Sequence, residues 1–446
     1  MSEVVLHLGA LLHLRDDPET NPEAIEWTPD GALLVEDGCI LFAGPAARAP
    51  KIDGAKRIRH DGIIAPGFID AHIHFPQTDI IGAYGKSLLD WLSDYTFPLE
   101  SKFSDPILAA GVAEAFLDEI LRNGVTTALV FATSHVVSTD ALFHAAQKRS
   151  MRLIGGKVLM DRGAPPELLD APGGGIAESE DLIKRWHNKD RLLYAITPRF
   201  AVTSTDAQLE AAGKLAAARQ DVYVHTHLAE NTDECAFVQN AFPDCGDYLG
   251  VYEKFGLVRP RSVFAHAIYM PDNGFKRMAK AEACAAFCPS SNLFLGSGYF
   301  DLKAARAAGV HVAFGSDVGG GTSFSMLSTM AEGYKVCKGR DAPLNPFLAF
   351  YIATLGAARA LKLDHQLGDF SAGKEADFIV LDPASTPIMA RRAAACTSLH
   401  DLLFAMMVLG DDRAIKETWV NGKLAHARDG AAPRTIGNFA WTTLKI

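Results

Sequence analysis

The sequence predicts an α/β fold: a (β/α)8 TIM-like barrel with a small β-sandwich domain built from the N- and C-terminal segments. Three observations predict it. Strand and helix patterns alternate eight times through the middle of the 446-residue chain, the pattern of parallel βαβ units. Strand text without helices occurs only towards the two ends. The first central strand ends in histidines, where an open doubly wound sheet usually carries phosphate-binding glycines. The segments divide as residues 1–65 for the first part of the sandwich, 66–367 for the barrel and 368–446 for the second part.

The elements run in this order. Val4 to Leu8 and Ala32 to Glu36 read as strands, with Glu36-Asp37-Gly38-Cys39-Ile40 as a hairpin turn. No helix of any length fits before residue 65. The apolar run Ile63 to Ile69 reads as one strand leading into Asp70-Ala71-His72-Ile73-His74. A long loop, Pro76 to Pro106, follows, then a helix from Ile107 to Arg122. Strand two is Thr126 to Phe131. Helix Ala141 to Arg149 leads to strand three, Leu153 to Met160. Helix Ser179 to Trp186 leads to strand four, Leu192 to Thr197. Helix Asp206 to Arg219 leads to strand five, Val222 to His227. A helical region from Ala236 to Phe255 precedes strand six, Val263 to His266. Helix Asp272 to Ala281 precedes strand seven, Cys284 to Cys288. Helix Leu302 to Ala308 precedes strand eight, Val310 to Gly315. Helices Ser325 to Lys338 and Pro346 to Leu361 follow. Ala376 to Leu381 and Glu417 to Leu424 close the chain as strands that pair with the N-terminal ones.

Composition narrows the function classes. The chain is 48% hydrophobic and 22% charged with a net charge of −10, a globular composition. It has no Lys/Arg-rich run, which argues against nucleic-acid or acidic-membrane partners. No apolar run approaches the ~20 residues of a membrane span. The start, Met1-Ser2-Glu3-Val4, lacks the basic and apolar parts of a signal peptide. Seven scattered cysteines read as reduced thiols, so a cytoplasmic location is expected. Cys284 and Cys288 lack the spacing of a zinc clip and read as core or strand-end thiols.

Barrel chemistry sits at the C-terminal ends of the strands, so the polar residues there form one set. Strand one gives His72 and His74, which share a face at i and i+2. Imidazoles in that arrangement suit zinc or iron. Strand five gives His225, His227 and Glu230. Either histidine could be a ligand. His227 lies later, three residues before an acid, while His225 reads as a buried supporting residue. Strand six gives His266, and strand eight gives Ser316-Asp317. Asp317 could instead cap a helix, but its place after an apolar strand favours a site role. Lys157 lies mid-strand and reads as structural. Strand four ends in Pro198-Arg199-Phe200 and offers no ligand, which favours one metal ion over two.

These residues resemble the amidohydrolase superfamily, and within it the guanine deaminases, over nearly the whole chain. The carrying pieces are Pro66-Gly67-Phe68-Ile69-Asp70-Ala71-His72-Ile73-His74 with Pro76-Gln77, and the run Trp91-Leu92-Ser93-Asp94-Tyr95-Thr96-Phe97-Pro98-Leu99-Glu100. They continue with Thr197-Pro198-Arg199-Phe200, His227-Leu228-Ala229-Glu230-Asn231, Ala265-His266, Cys288-Pro289-Ser290-Ser291-Asn292 and Gly315-Ser316-Asp317-Val318-Gly319-Gly320. The histidine and aspartate pattern is shared across the superfamily. Pro76-Gln77, Tyr95-Thr96-Phe97-Pro98 and Pro198-Arg199-Phe200 are particular to the guanine deaminases.

The resemblance implies that His72, His74, His227 and Asp317 bind one Zn2+ per chain, with Fe2+ as the alternative ion. It implies Glu230 as proton shuttle, Asp317 as acceptor of the water proton and His266 as a catalytic residue beside that water. Gln77, Arg199, Phe200, His266 and Trp91 would contact guanine, and the product would be xanthine. It also implies a homodimer. Rival readings are deaminases of 8-oxoguanine, pterins or cytosine, a triazine chlorohydrolase, and a non-catalytic scaffold. The full ligand set argues against the scaffold. The other zinc-deaminase architecture carries H-x-E and P-C-x-x-C, and neither motif occurs here.

Overall fold

The computed structural model describes residues 3–85 and 88–428. The chain opens with β1 (Val4–Leu14), β2 (Ile25–Glu36), β3 (Cys39–Pro45) and β4 (Lys56–Pro66). The central strands are β5 (Phe68–His74), β6 (Val125–Phe131), β7 (Arg152–Gly156), β8 (Val158–Leu159), β9 (Leu192–Pro198), β10 (Tyr223–Leu228), β11 (Ser262–His266), β12 (Cys284–Phe287) and β13 (Val312–Phe314). The described chain ends with β14 (Phe378–Leu381), β15 (Ile415–Val420) and β16 (Lys423–Ala427).

The two chain ends join as expected. They form one hydrogen-bonded sheet of seven strands in the order β16-β15-β14-β4-β1-β2-β3. Its faces follow the two-residue strand period. Leu33 and Val35 pack with Phe378 and Val380 on one side, whereas Ala32 and Leu34 pack with Leu6 on the other. The hairpin at Asp37-Gly38 has positive φ at both residues, 48° and 83°, as a two-residue hairpin turn requires.

The central strands form a parallel sheet in the order β13-β12-β11-β10-β9-β7-β6-β5, with β8 beside β9. Hydrogen bonds from Asp317 N to His72 O and from His74 N to Val318 O, both 2.9 Å, link the end of the eighth strand position back to β5. The architecture is a nearly closed (β/α)8 barrel. Its interior is filled by Ile69, Leu129, Ile154, Ala195, Val263, Ala286 and Ala313, among others.

The apolar run Ile63 to Ile69 is not one strand. It splits at Gly67, where the chain leaves one sheet for the other. Pro66 pairs with Phe378 and Phe68 pairs with Val125. A Cβ at Gly67 would meet Thr126 Oγ1 at 2.1 Å, so the crossing needs glycine. Within β5 the register slips again between Asp70 and Ile73. Ile69 and Ala71 lie in the interior cluster, but Ile73 and Phe75 lie in the outer one. That irregularity turns His72 and His74 inward, the usual way a bulge re-aims side chains near a site.

Three other expectations are corrected. The described residues between Pro76 and Pro106 form not a plain loop but a succession of short helical turns: Phe75–Ile80, Leu88–Trp91, Leu92–Thr96, Phe97–Glu100 and Ser101–Ser104. Leu88, Trp91, Leu92 and Phe97 are buried there against Phe131, Val158 and Phe200, so packing rather than periodicity sets the turns. The third strand is broken at Lys157, whose buried Nζ pairs with Asp170 and, at 3.2 Å, Glu178. The last barrel helix divides into Pro346–Ile352 and Leu355–Ala360. Thr354 between them has a non-helical backbone and donates its hydroxyl to Phe350 O at 2.7 Å.

Candidate active site

Four side chains from three barrel strands converge at one rim. His72 and His74 come from the end of β5, His227 from β10, and Asp317 from just beyond β13. Their donor atoms lie within 4.8 Å of one another. His74 Nε2 is 3.3 Å from both His72 Nε2 and His227 Nε2. Asp317 Oδ1 is 3.2 Å from His72 Nε2 and 3.3 Å from His74 Nε2. Ligands about 2.0–2.1 Å from a shared tetrahedral ion stand roughly 3.3 Å apart, so this donor set fits a divalent cation.

The protonation states agree. Burial pushes all three rings below the ordinary imidazole range, His74 to about 4, and the neutral ring is the ligating form. His227 Nδ1 is 2.7 Å from Arg199 O. A carbonyl only accepts, so the proton sits on Nδ1 and Nε2 offers its lone pair. His72 Nδ1 is 2.8 Å from His225 Nε2, so His225 stands behind His72 rather than in the cluster. Asp317 is desolvated, yet the surrounding imidazoles hold its carboxyl well below the usual range.

Glu230 behaves in the opposite way. It is buried, accepts from Ser297 Oγ at 2.8 Å, and among the described residues has no Lys or Arg side chain bonded to it. Desolvation and the nearby Asp317 charge push its carboxyl up to about 8. Two carboxylates with pKa values pushed apart are the arrangement expected of an acid and a base. His266 Nδ1 is fixed 2.8 Å from Asn292 Oδ1, while its buried Nε2 has no hydrogen bond among the described residues and lies 3.4 Å from Glu230 Oε2. The backbone is strained here. Ala229, His266, Ala267 and Asp317 all have positive φ, 49°, 71°, 49° and 53°, and such strain gathers at functional sites.

These groups open into one pocket with about 390 Å³ of empty space including its mouth. Its walls include Trp91, Leu92, Phe200 and Leu295 on the apolar side and Gln77 and Arg199 on the polar side. Arg199 donates to Glu100 from Nη1 at 2.7 Å and from Nη2 at 3.2 Å. Gln77 Nε2 donates to the same carboxylate at 3.1 Å, and Gln77 Oε1 accepts from Gly319 N at 3.2 Å.

A sequence model described as the amidohydrolase family matches residues 63–425. The chain belongs to the amidohydrolase family. Among individual amidohydrolases, it is 46% identical over 417 residues to a guanine deaminase of Escherichia coli, covering 93% of this chain and 95% of that one. A solved structure of E. coli guanine deaminase superposes with a TM-score of 0.92 at 44% identity, covering 95% of this chain and all of that one. A guanine deaminase from C. acetobutylicum with guanine bound in its active site superposes with a TM-score of 0.86 at 28% identity, with 95% and 100% covered.

Every residue singled out from the sequence as a ligand, proton carrier or substrate contact falls in this amidohydrolase pocket or its donor cluster. Lys157 lies elsewhere, in its ion pair. Sequence reasoning missed several supporting groups. Asp70 is fully buried, and its Oδ1 accepts from both His72 N and Ser316 N at 3.1 Å, tying the first and last barrel strands. Glu234 accepts from Glu230 N at 2.9 Å and from Tyr248 OH at 2.6 Å. The Asn231 and Glu234 spacing of a capping box was the available signal for it. Cys288 is more than a core thiol in position, since its Sγ lies within 4.8 Å of His72, His266 and Asp317 donors. Burial pushes that thiol well up, which makes it a poor ligand beside the imidazoles.

Proposed function

We propose that this amidohydrolase converts guanine and water to xanthine and ammonia. One observation carries the reading: a single pocket joins the three-histidine, one-aspartate cluster, a carboxyl held protonated, and a polar wall of Arg199 and Gln77. The relatives named as guanine deaminases, one of them solved with guanine bound, support the same substrate. His72, His74, His227 and Asp317 would hold one Zn2+ per chain, with Fe2+ as the alternative. When bound, the ion supplies Lewis acidity that makes water nucleophilic near neutral pH.

The chain's own residues do the rest. Arg199 presents donors to the O6 and N7 side of guanine, and Gln77 presents a donor and an acceptor to a mixed edge. Phe200 and Trp91 exclude water along the ring faces. Glu230, protonated at neutral pH, gives its proton to a ring nitrogen, so that C2 becomes electrophilic. Asp317, held ionised, takes a proton from the attacking water. His266 is placed to stabilise the oxygen that adds at C2. The amine leaves as ammonia with a returned proton. A homodimer and a cytoplasmic location are carried over from the resemblance and from the free cysteines. The deciding assay incubates purified protein with guanine, 8-oxoguanine, isoxanthopterin and cytosine and measures ammonia. The highest kcat/KM is expected on guanine, and no ammonia from guanine would end this reading.

A further inference from the structure

Behind the polar wall lies a carboxylate to which the proposed reaction assigns no role. Glu100 is fully buried and does not line the pocket. Among the described residues it is the one side chain that joins Arg199 to Gln77. Its two oxygens take one N–H from each terminal nitrogen of Arg199, which fixes the plane of the guanidinium. Among the described residues these two are the hydrogen bonds of the Arg199 guanidinium, which has five N–H groups. Glu100 also decides which way Gln77 faces. A flipped amide would set Gln77 Oε1 against the carboxylate and Nε2 against the Gly319 N–H, and both contacts would be repulsive. The observed orientation leaves one N–H and one lone pair of Gln77 for a ligand.

Charge gives Glu100 a second role. An arginine alone in a desolvated pocket would draw an anion. Paired with Glu100, it is a set of directional donors with no net charge, which suits a neutral heterocycle. We propose that Glu100 is the positioning residue of this wall, holding the Arg199 fork and the Gln77 amide and setting the preference for a neutral base. This inference rests on the guanine reading above.

The test is a double-mutant cycle of wild type, Glu100→Gln, Arg199→Met and Arg199→Met/Glu100→Gln. Each is measured by steady-state kinetics on guanine, by inhibition with xanthine, which ionises more readily than guanine, and by metal content. Glu100→Gln should keep its metal and raise KM at least about tenfold with a much smaller change in kcat. Xanthine should inhibit it more strongly relative to KM than it inhibits wild type. In the Arg199→Met background the same change should alter KM by a clearly smaller factor than in wild type, because only the Gln77 contact of Glu100 remains. An unchanged KM in Glu100→Gln, or equal factors in both backgrounds, overturns the proposal. If Glu100→Gln does not fold, the double variant should, since both charges leave together. A double variant that also fails makes Glu100 structural and overturns it. A wild type that releases ammonia from another base but not from guanine overturns the guanine reading instead, and the cycle is then read on that base.

Discussion

Glu230→Gln separates proton transfer from metal binding. The glutamine keeps the size of the side chain and an oxygen for Ser297 Oγ, 2.8 Å away in the native protein. It keeps the metal donors, since none of the four is Glu230. What it loses is a transferable proton. With its carboxyl pushed up to about 8 by desolvation and the nearby Asp317 charge, native Glu230 is mostly protonated at pH 7. Removing a general acid costs about 10²–10⁴ in rate, or about 2.7–5.4 kcal/mol of barrier. The expected variant therefore holds as much metal as wild type and turns guanine over at least about 10² more slowly. Its pH profile also changes. The protonated form is the active one, so wild-type kcat/KM should fall as pH rises through about 8, and Glu230→Gln should lack that limb. Stability carries the same sign. A folded pKa raised from 4.5 to about 8 stabilises the fold fully below 4.5, and that contribution is lost as pH rises towards 8. Glu230→Gln should thus melt higher than wild type, relative to their difference at pH 5, once the pH exceeds about 8. Stopped or coupled ammonia assays and melting curves across pH 5–10 measure both. A variant within about tenfold of wild type at pH 7 would refute the assignment of proton transfer to Glu230.

His227→Ala should lower bound metal from about one equivalent per chain to under about a tenth, by elemental analysis after zinc-replete expression. Two equivalents in wild type would count against the four-ligand set. Arg199→Met should keep the metal but lose at least about 10² in kcat/KM for guanine, and wild type should leave adenine untouched because it carries no amine at C2. Arg191→Met should destabilise the fold by about 3–5 kcal/mol, read by urea or thermal melts. Arg191 lies just before β9 and binds both Glu375, at 2.6 Å, and buried Asp377, just before β14. A loss under about 1 kcal/mol would mean that this clamp between barrel and terminal sheet is a solvated surface pair.

What was legible in the sequence was what local period carries. The alternation of strands and helices is local, and so are the Asp37-Gly38 turn and the two histidines one residue apart. The polar residues at strand ends followed from the barrel, because a parallel barrel places all those ends together. What was not legible depends on partners far along the chain. The inward turn of His72 and His74 needs the irregular register of β5 against β6. The run Ile63 to Ile69 looks continuous, and only Thr126 against Gly67 shows where it divides. Glu100 sits 99 residues from Arg199, and nothing in its neighbourhood marks it as an ion-pair partner. Residues 76–106 have no clean period because their turns are set by burial against Phe131, Val158 and Phe200.

Arg199 ties the two halves of the pocket together, and it does so with different atoms. Its side chain forms the polar wall through Glu100. Its backbone carbonyl takes His227 Nδ1 at 2.7 Å and His227 N at 3.2 Å. The first of these bonds sets the His227 tautomer, so the position of one carbonyl decides whether Nε2 offers a lone pair to the cluster. Pro198 restricts the backbone just before it, at the end of β9 where the strand already pairs with β8 and β10. A side-chain change at Arg199 therefore removes recognition and leaves ligation, whereas a displacement of the strand end would disturb both at once. The separation of binding from metal content in Arg199→Met follows from that division of labour between side chain and carbonyl, and family likeness alone does not supply it.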